Sequence, residues 1–395
     1  MAFKQLKDLN VIGKRVLCRV DFNVSVDKKT GEIKDDTRVV AALPTINHLL
    51  EQGARVILCS HFGRPEGRDP KLSLKPVAAC LARHLKKPVA FSEDCVGEVA
   101  ETSVAELKNG GVLVLENLRY HAGEEEDEAV FAGQLAGLAD VYVNDAFGAA
   151  HRAHASVHAT AAKFREKAAG FLLQRELEYL GKALSHPDRP FVVILGGAKV
   201  SDKIKVITKM LDVADSILIG GAMAYTFLLA QGKGAGKSLV EPDYVSMAKD
   251  ILAKASTLKK TFLLPLDHVV ADKVEANAPG LAIVPGDQIP DSKLALDIGP
   301  KTVERYRQEI ATARMIVWNG PLGVFELEPF NAGTFAIAKA VAANSNATSI
   351  VGGGESVAAV KKAGVADKIS HISTGGGASL EFLEGKILPG VQALE

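Results

Sequence analysis

RVLCRVDFNVSVDKKTGEIKDDTRVVAALPTINHLLEQGARVILCS, residues 15–60, contains one complete round of the rhythm that organises the whole chain. A β-branched run (15–22) is followed by TRVVAALPTINHLLEQG (37–53), an amphipathic stretch, and then by a second apolar run, ARVILCS (54–60). Strand, helix and strand in succession form a βαβ unit, and its repetition builds a parallel sheet. Working outward, the first half adds GVLVLE (111–116) and DVYVND (140–145) as strands. The second half repeats the pattern with FVVILGG (191–197), SILIGG (216–221), TFLLPLD (261–267), LAIVP (281–285), RMIVWNG (314–320), TSIVGGG (348–354) and ISHISTGGG (369–377). No fixed-period repeat is present, which excludes a solenoid.

A chain of 395 residues exceeds the roughly 250–300 at which a single core stops growing, so two domains are expected. The stretch GFLLQRELEYLGKALSHPDRP is helical in pattern and ends in the breaker cluster His186-Pro187-Asp188-Arg189-Pro190, where we place the boundary. The fold class is therefore α/β, with two doubly wound, Rossmann-like lobes of parallel sheet joined by a helix. The expected domains are 1–170, a joining helix over 171–186, and 187–377. Ligands of open α/β sheets bind at the C-terminal ends of strands, so the chemistry is expected there, in the cleft between lobes.

Composition narrows the function classes. Apolar residues make up 47% and charged residues 24%, the balance of a globular protein. Lysine plus arginine equals aspartate plus glutamate at 47 each, which argues against a broad footprint for nucleic acid or an anionic membrane. MAFKQLKDLN has no apolar h-region behind its lysines, and runs such as FVVIL are far short of a membrane span. A cytoplasmic protein is expected. The four cysteines, Cys18, Cys59, Cys80 and Cys95, form no Cys-x-x-Cys pair, so spacing indicates neither a zinc site nor a disulfide framework.

The strand ends of the first half are rich in cations and hydrogen-bonding groups: Asp21 and Asn23, then His61 and Arg64, then Arg119, with Arg38 at the start of the first helix and Arg152 after the fourth strand. Guanidinium groups bind phosphate and carboxylate through a planar fork, so four arginines at one sheet edge suit a small, highly anionic substrate. His151, His154 and His158 would share a helix face and invite a metal reading. No carboxylate or cysteine stands at ligand spacing and Arg152 would repel a cation, so an anion-facing helix start explains them better.

The second half carries glycine-rich turns instead: Gly196-Gly197-Ala198-Lys199 running into Ser201-Asp202-Lys203, then Gly220-Gly221, Gly352-Gly353-Gly354-Glu355-Ser356 and Gly375-Gly376-Gly377. Glycine lets backbone amides approach a ligand, and a helix start adds positive partial charge, so such turns suit nucleotide phosphates. Glu326 and Glu355 add hard oxygens for a ribose hydroxyl or Mg²⁺. Gly232-Lys233-Gly234-Ala235-Gly236-Lys237-Ser238 imitates a P-loop but has three residues between its glycines where four are required, and it follows a helical pattern, AYTFLLAQ. It reads as a surface turn.

VDFNV (20–24), SHFGRP (60–65), LENLRYH (115–121), VNDAFGAAHRAHAS (143–156), LGGAKVSDKI (195–204), WNGPLGVFE (318–326) and STGGGASLEFLEGKILPGV (373–391) together resemble the phosphoglycerate kinase family over essentially the whole chain. The resemblance implies reversible phosphoryl transfer from 1,3-bisphosphoglycerate to MgADP by in-line displacement with domain closure. It implies phosphoglycerate contacts from Asp21, Phe22, Asn23, Arg38, His61, Phe62, Gly63, Arg64, Arg119 and Arg152. Nucleotide contacts are implied for Gly197, Lys199, Lys203, Gly220, Gly221, Glu326, Gly353, Gly354, Glu355 and Ser356. Arg38, Lys199, Gly375 and Gly376 would serve the transferring phosphoryl group, and Glu355 the nucleotide-bound Mg²⁺. At 355 this chain has glutamate where the family usually shows aspartate. The resemblance also implies that residues 378–395 fold back on the first lobe; a monomer acting on small molecules is expected, since neither a coiled-coil heptad nor an obvious apolar face argues for assembly. Two rivals fall away: a solute-binding protein, given the lysine-bearing glycine turns, and a nicotinamide oxidoreductase, because no Gly-x-Gly-x-x-Gly follows the first strand.

Overall fold

The computed structural model describes residues 3–27 and 30–395. The chain forms two compact units, one comprising residues up to Glu178 together with Ile387–Glu395, the other Tyr179–Lys386. Among the described residues no helix is long and apolar enough to cross a membrane.

The first unit holds a six-stranded parallel sheet in the order Ala90–Ser92, Val112–Leu115, Arg55–Cys59, Arg15–Arg19, Val141–Asn144, Lys167–Ala169. The order runs outward both ways from the central strand, as expected of a doubly wound fold. Its inner strands are buried throughout because helices cover both faces of a parallel sheet. Helix Thr37–Glu51 turns Val39, Ala42, Ile46 and Leu49 onto Val16, Val56 and their neighbours. Full burial of Val39, Ile46 and Leu49 stabilises by about 1.5–3 kcal/mol each, which together outweighs the interior Pro44, whose missing N–H costs about 3 kcal/mol. The two edge strands, 90–92 and 167–169, and a short antiparallel hairpin, Ser25–Val26 with Ile33–Asp35, were not anticipated. Each has three residues or fewer, too short to show a period.

Helix Phe171–Ser185 carries the chain out of the first unit. Asp145 accepts the Leu172 and Leu173 amides at 2.9 and 3.2 Å and Thr45 Oγ1 accepts the Phe171 amide at 2.8 Å. Burial lifts the Asp145 pKa to about 6, against the pull of those hydrogen bonds. The units divide inside this helix, between Glu178 and Tyr179, rather than at the His186–Pro190 breaker. The reason is packing: Leu180 and Ala183 are buried and the Tyr179 ring stacks on His371 at 4.6 Å, within the second unit.

In the second unit the parallel sheet runs Thr261–Leu263, Ser216–Ile219, Phe191–Leu195, Met315–Asn319, Thr348–Gly352, His371–Ile372. The strand expected at 281–285 is not part of it. Ala282–Pro285 pairs antiparallel with Asp267–Ala271, which pairs antiparallel with Leu294–Ile298, so a separate three-stranded sheet interrupts the βαβ series. Nor does all of 378–395 return to the first unit. Helix Gly377–Leu383 buries Ala378, Phe382 and Leu383 beside helix Ile204–Val213, and only residues from Ile387 join the first unit. There Gly390 is clamped: its carbonyl accepts from Asn144 Nδ2 at 3.0 Å and its amide donates to the Ala150 carbonyl at 2.9 Å.

Candidate functional sites

On the first unit, the C-terminal ends of the strands gather a cationic cluster paired with three carboxylates, Asp21, Glu124 and Glu125. Asp21, 7% exposed, accepts both 2.7 Å hydrogen bonds of Arg38 Nη1. Burial opposes ionisation of Asp21, but Arg38, then His61 and Arg19, more than reverse it and hold its carboxyl below the usual range. Arg19 ends strand Arg15–Arg19 and is fully buried, donating to Ser156 Oγ at 2.9 Å and to the Val20 carbonyl at 2.6 Å. Its Nη2 lies 3.2 Å from His61 Nδ1. Arginine can only donate, so Nδ1 is the acceptor and the imidazole proton sits on Nε2. Burial, assisted by Arg19, Arg119 and Arg38, drives the His61 pKa down to about 3 against the pull of Asp21. His61 is thus a neutral donor at physiological pH.

Arg119 stands on the 3₁₀ turn Leu118–Tyr120 and is 9% exposed. Its Nη1 donates to the Gly63 carbonyl at 2.7 Å, Nη2 meets Glu125 at 3.1 Å, and Nε is buried with no protein partner. Asn23 Oδ1 accepts the Gly63 amide at 3.0 Å. Gly63 is required there: its φ is +62° and a Cβ would come within 2.7 Å of Leu72 Cδ2. Phe22 and Phe62 correct the sequence reading, because both rings lie in the core. Their amides are also spent, on Ser60 Oγ at 2.9 Å and Asn117 Oδ1 at 3.0 Å. Arg64 and Arg152 are exposed, and Arg152 is near enough for its charge to act on Arg119.

The three histidines do not share a helix face. Residues 151–158 form turns, and the helix begins at Ala159. His158 Nδ1 pairs with Asp127 at 2.6 Å, while His154 is buried with its pKa lowered to about 4, by burial first and then by Arg119. Sequence reasoning passed over Arg19 and Asn117. An arginine inside an otherwise buried strand was the available signal for the first.

The second unit has a cavity of about 600 Å³ where the strand order reverses, between the ends of Phe191–Leu195 and Met315–Asn319. Gly197, Lys199, Lys203, Gly353, Gly354, Glu355, Ser356 and Gly376 line it; Gly220, Gly221, Glu326 and Gly375 do not. Asn319, Gly320 and Asp202 line it as well and were missed. Lys203 is 8% exposed and donates to Asn319 Oδ1. Burial lowers its pKa to about 8, opposed by the charges of Asp202 and Glu355. Lys199 and Glu355 are exposed to the cavity.

The glycine turns differ in what their amides meet. The amides of Gly196, Gly197, Gly220 and Gly221 donate to Asn319, Pro321, Leu195 and Leu322 carbonyls at 2.8–3.0 Å, and that of Gly375 to Ser373 Oγ at 3.2 Å. Gly196, Gly220 and Gly221 serve close packing: a Cβ on Gly196 would lie 2.1 Å from the Pro321 oxygen, one on Gly220 2.5 Å from Leu322 Cδ2, and one on Gly221 2.6 Å from Gly197 N. Amides left open to a ligand come from elsewhere. Helix Gly354–Lys362 begins after Gly353, held at φ +89°, and its first amides, which have no intrahelical acceptor, open on the cavity with the positive end of the helix dipole. Ser356 Oγ accepts the Gly320 amide at 2.6 Å and fixes the opposite turn. The P-loop imitation is a turn after helix Met223–Ala230, with Lys237 N on the Lys293 carbonyl at 2.8 Å and Ser238 Oγ accepting from Ala295.

The family model described as phosphoglycerate kinase matches residues 6–386. A relative named phosphoglycerate kinase from Koribacter versatilis is 58% identical over 401 residues, covering 100% of this chain and 99% of that protein. Another of that name, from Moorella thermoacetica, is 58% identical over 395 residues, with 100% and 99% covered. Among solved structures, phosphoglycerate kinase from Coxiella burnetii is similar with a TM-score of 0.91 at 42% identity, covering 100% of this chain and 99% of its own. The Pyrococcus horikoshii enzyme has a TM-score of 0.86 at 37% identity, covering 99% and 98%.

Proposed function

The chain belongs to the phosphoglycerate kinase family and is a phosphotransferase, and from that premise we propose which of its residues handle each substrate. The acid, 3-phosphoglycerate or its 1-phosphorylated form, binds the first unit's cluster; ADP or ATP binds the cavity of the second. The cavity carries this reading: two lysines, an unpaired helix N-terminus and the carboxylates of Asp202, Glu355, Glu381 and Glu384 line about 600 Å³ of space. The acid's charges meet Arg38, Arg119, Arg64 and Arg152, with neutral His61 and Asn23 available to its uncharged oxygens. Asp21 holds Arg38 in place before substrate arrives.

Phosphoryl transfer through a loose transition state needs alignment and neutralisation more than covalent help. Arg38 and Lys199 supply charge to the equatorial oxygens, and Gly376 an amide. No general base is needed in the ATP-forming direction, since the attacking ADP oxygen is already ionised. Glu355 fits a magnesium requirement, as an exposed carboxylate on the first turn of Gly354–Lys362 offering the hard oxygen that ion takes. Bound there with the nucleotide, Mg²⁺ would neutralise phosphate charge. With acid and nucleotide on separate units, transfer requires closure that brings them together and excludes water. A monomeric, cytoplasmic enzyme acting on small molecules fits this reading.

A coupled assay with 3-phosphoglycerate, ATP and Mg²⁺ tests it. Wild type should consume ATP only when the acid is present, and Lys199→Ala should lose most of the rate. ATP consumption independent of the acid, or full activity in the variant, would overturn the assignment.

A further inference from the structure

Three side chains that the transfer reaction does not use meet on the first unit. Cys80 and His84 are one turn apart on helix Lys75–Leu85 and share a face. Asp36 is the residue immediately before helix Thr37–Glu51, which packs against that helix. One ligand atom from each, thiol sulfur, imidazole nitrogen and carboxylate oxygen, lies within 4.8 Å of the other two. His84 Nε2 is already 2.8 Å from Asp36 Oδ2. Cys80 forms a buried floor, 2% exposed, while the His84 and Asp36 side chains are 31% and 46% exposed, so the group is open on one side.

We propose that Asp36, Cys80 and His84 form a three-ligand site for one thiophilic divalent cation, with Zn²⁺ as the reference ion and water in the fourth position. Zn–S near 2.3 Å and Zn–N or Zn–O near 2.0–2.1 Å in a tetrahedron put the donors about 3.3–3.6 Å apart. The His84–Asp36 pair has to open by about half an ångström and the sulfur, within 4.8 Å of each, to close by up to about 1.2 Å, movements that two partly exposed side chains can make. The ion would replace the proton shared by nitrogen and oxygen, and the thiol proton would leave as the Zn–S bond forms. Thiolate, carboxylate and neutral imidazole then balance the dication. Burial holds the Cys80 pKa above its ordinary value despite Arg83, so the thiol is protonated in the free protein and the metal has to displace that proton.

A second grouping, Asp94, Cys95 and His121, has the same residue types but is already closed. Its carboxylate accepts the Cys95 amide and the His121 ring at 2.7 Å each and faces Arg68 at 3.8 Å, while Cys95 is fully buried. An ion there would displace three existing interactions and meet a cation. At Asp36 it would displace two, the His84–Asp36 pair and the Cys80–Arg83 hydrogen bond, and tie the start of the Arg38-bearing helix to its neighbour.

The test is titration of the full-length protein, without nucleotide, with Co²⁺ and then Zn²⁺. Wild type should develop a thiolate-to-cobalt charge-transfer band and strong visible d–d bands that saturate at one equivalent and vanish on adding Zn²⁺. Cys80→Ser should abolish the charge-transfer band, and His84→Ala should weaken binding by at least about tenfold, with phosphotransferase activity retained in both. His84 is on the surface, so its variant keeps the test decisive even if Cys80→Ser misfolds. Absence of the charge-transfer band in wild type, or unchanged affinity in His84→Ala, overturns the site.

Discussion

Lys203 is asked to be charged for nucleotide yet is buried where charge is costly, and this conflict can be measured. Its pKa stands at about 8 in the folded protein against 10.5 for an unhindered lysine. The folded value is depressed, so between pH 8 and 10.5 the unfolded chain binds the extra proton and stability rises with pH. Below pH 8 the charged side chain costs the fold about 3 kcal/mol, since each tenfold loss of proton affinity on folding is worth about 1.4 kcal/mol. Lys203→Met should therefore stabilise the free protein at pH 7. Losing the hydrogen bond to Asn319 returns about 1 kcal/mol, leaving a net gain of about 2 kcal/mol by urea denaturation. Nucleotide binding should move the opposite way. If phosphates engage only the charged form, wild-type affinity for ADP falls about tenfold from pH 7 to 9, and binding at pH 8 takes up about half a proton. Calorimetric titration in two buffers of different ionisation enthalpy reads both quantities. Affinity unchanged up to pH 9 together with a destabilised Lys203→Met would refute the reasoning.

Three further outcomes follow from the geometry. Arg38→Ala should fold normally and lose on the order of 2–5 kcal/mol of transition-state stabilisation, since Asp21 is left buried and the transferring group loses its guanidinium; steady-state kinetics showing less than about a threefold fall in kcat would remove Arg38 from its role. Lys237→Ala should leave ATP affinity within about twofold, because its loop packs on residues 290–293 away from the cavity; a large loss by fluorescence titration would revive the P-loop reading. Gly196→Ala should destabilise by about 1–3 kcal/mol, since the added carbon meets the Pro321 backbone; a variant with wild-type thermal stability would contradict that packing.

Much of the architecture was legible because burial writes period into sequence. Val39, Ala42, Ile46 and Leu49 announce one helix face, and runs such as FVVIL announce strands buried on both sides. The charged residues at strand ends announced where polar groups gather, because a doubly wound sheet leaves only its C-terminal edge open to ligand. Strands of two or three residues escaped, since they show no period. So did the orientation of LAIVP, since an apolar run reads the same whether its neighbour runs parallel or antiparallel.

Side-chain and amide partners were decided only in three dimensions. Glycine at 196 or 221 looks like glycine at 354, yet the first two lie against neighbouring backbone while the third begins a helix and has no atom within 4 Å of where a Cβ would stand. Sequence states that an amide exists; which carbonyl it meets depends on chain segments a hundred residues away. The same holds for Arg19 with Ser156, for Lys203 with Asn319, and for Asp36 with Cys80 and His84. Hydrophobic patterning is a local property that the chain carries wherever it goes, whereas the partner of a polar group is a property of the folded assembly of segments.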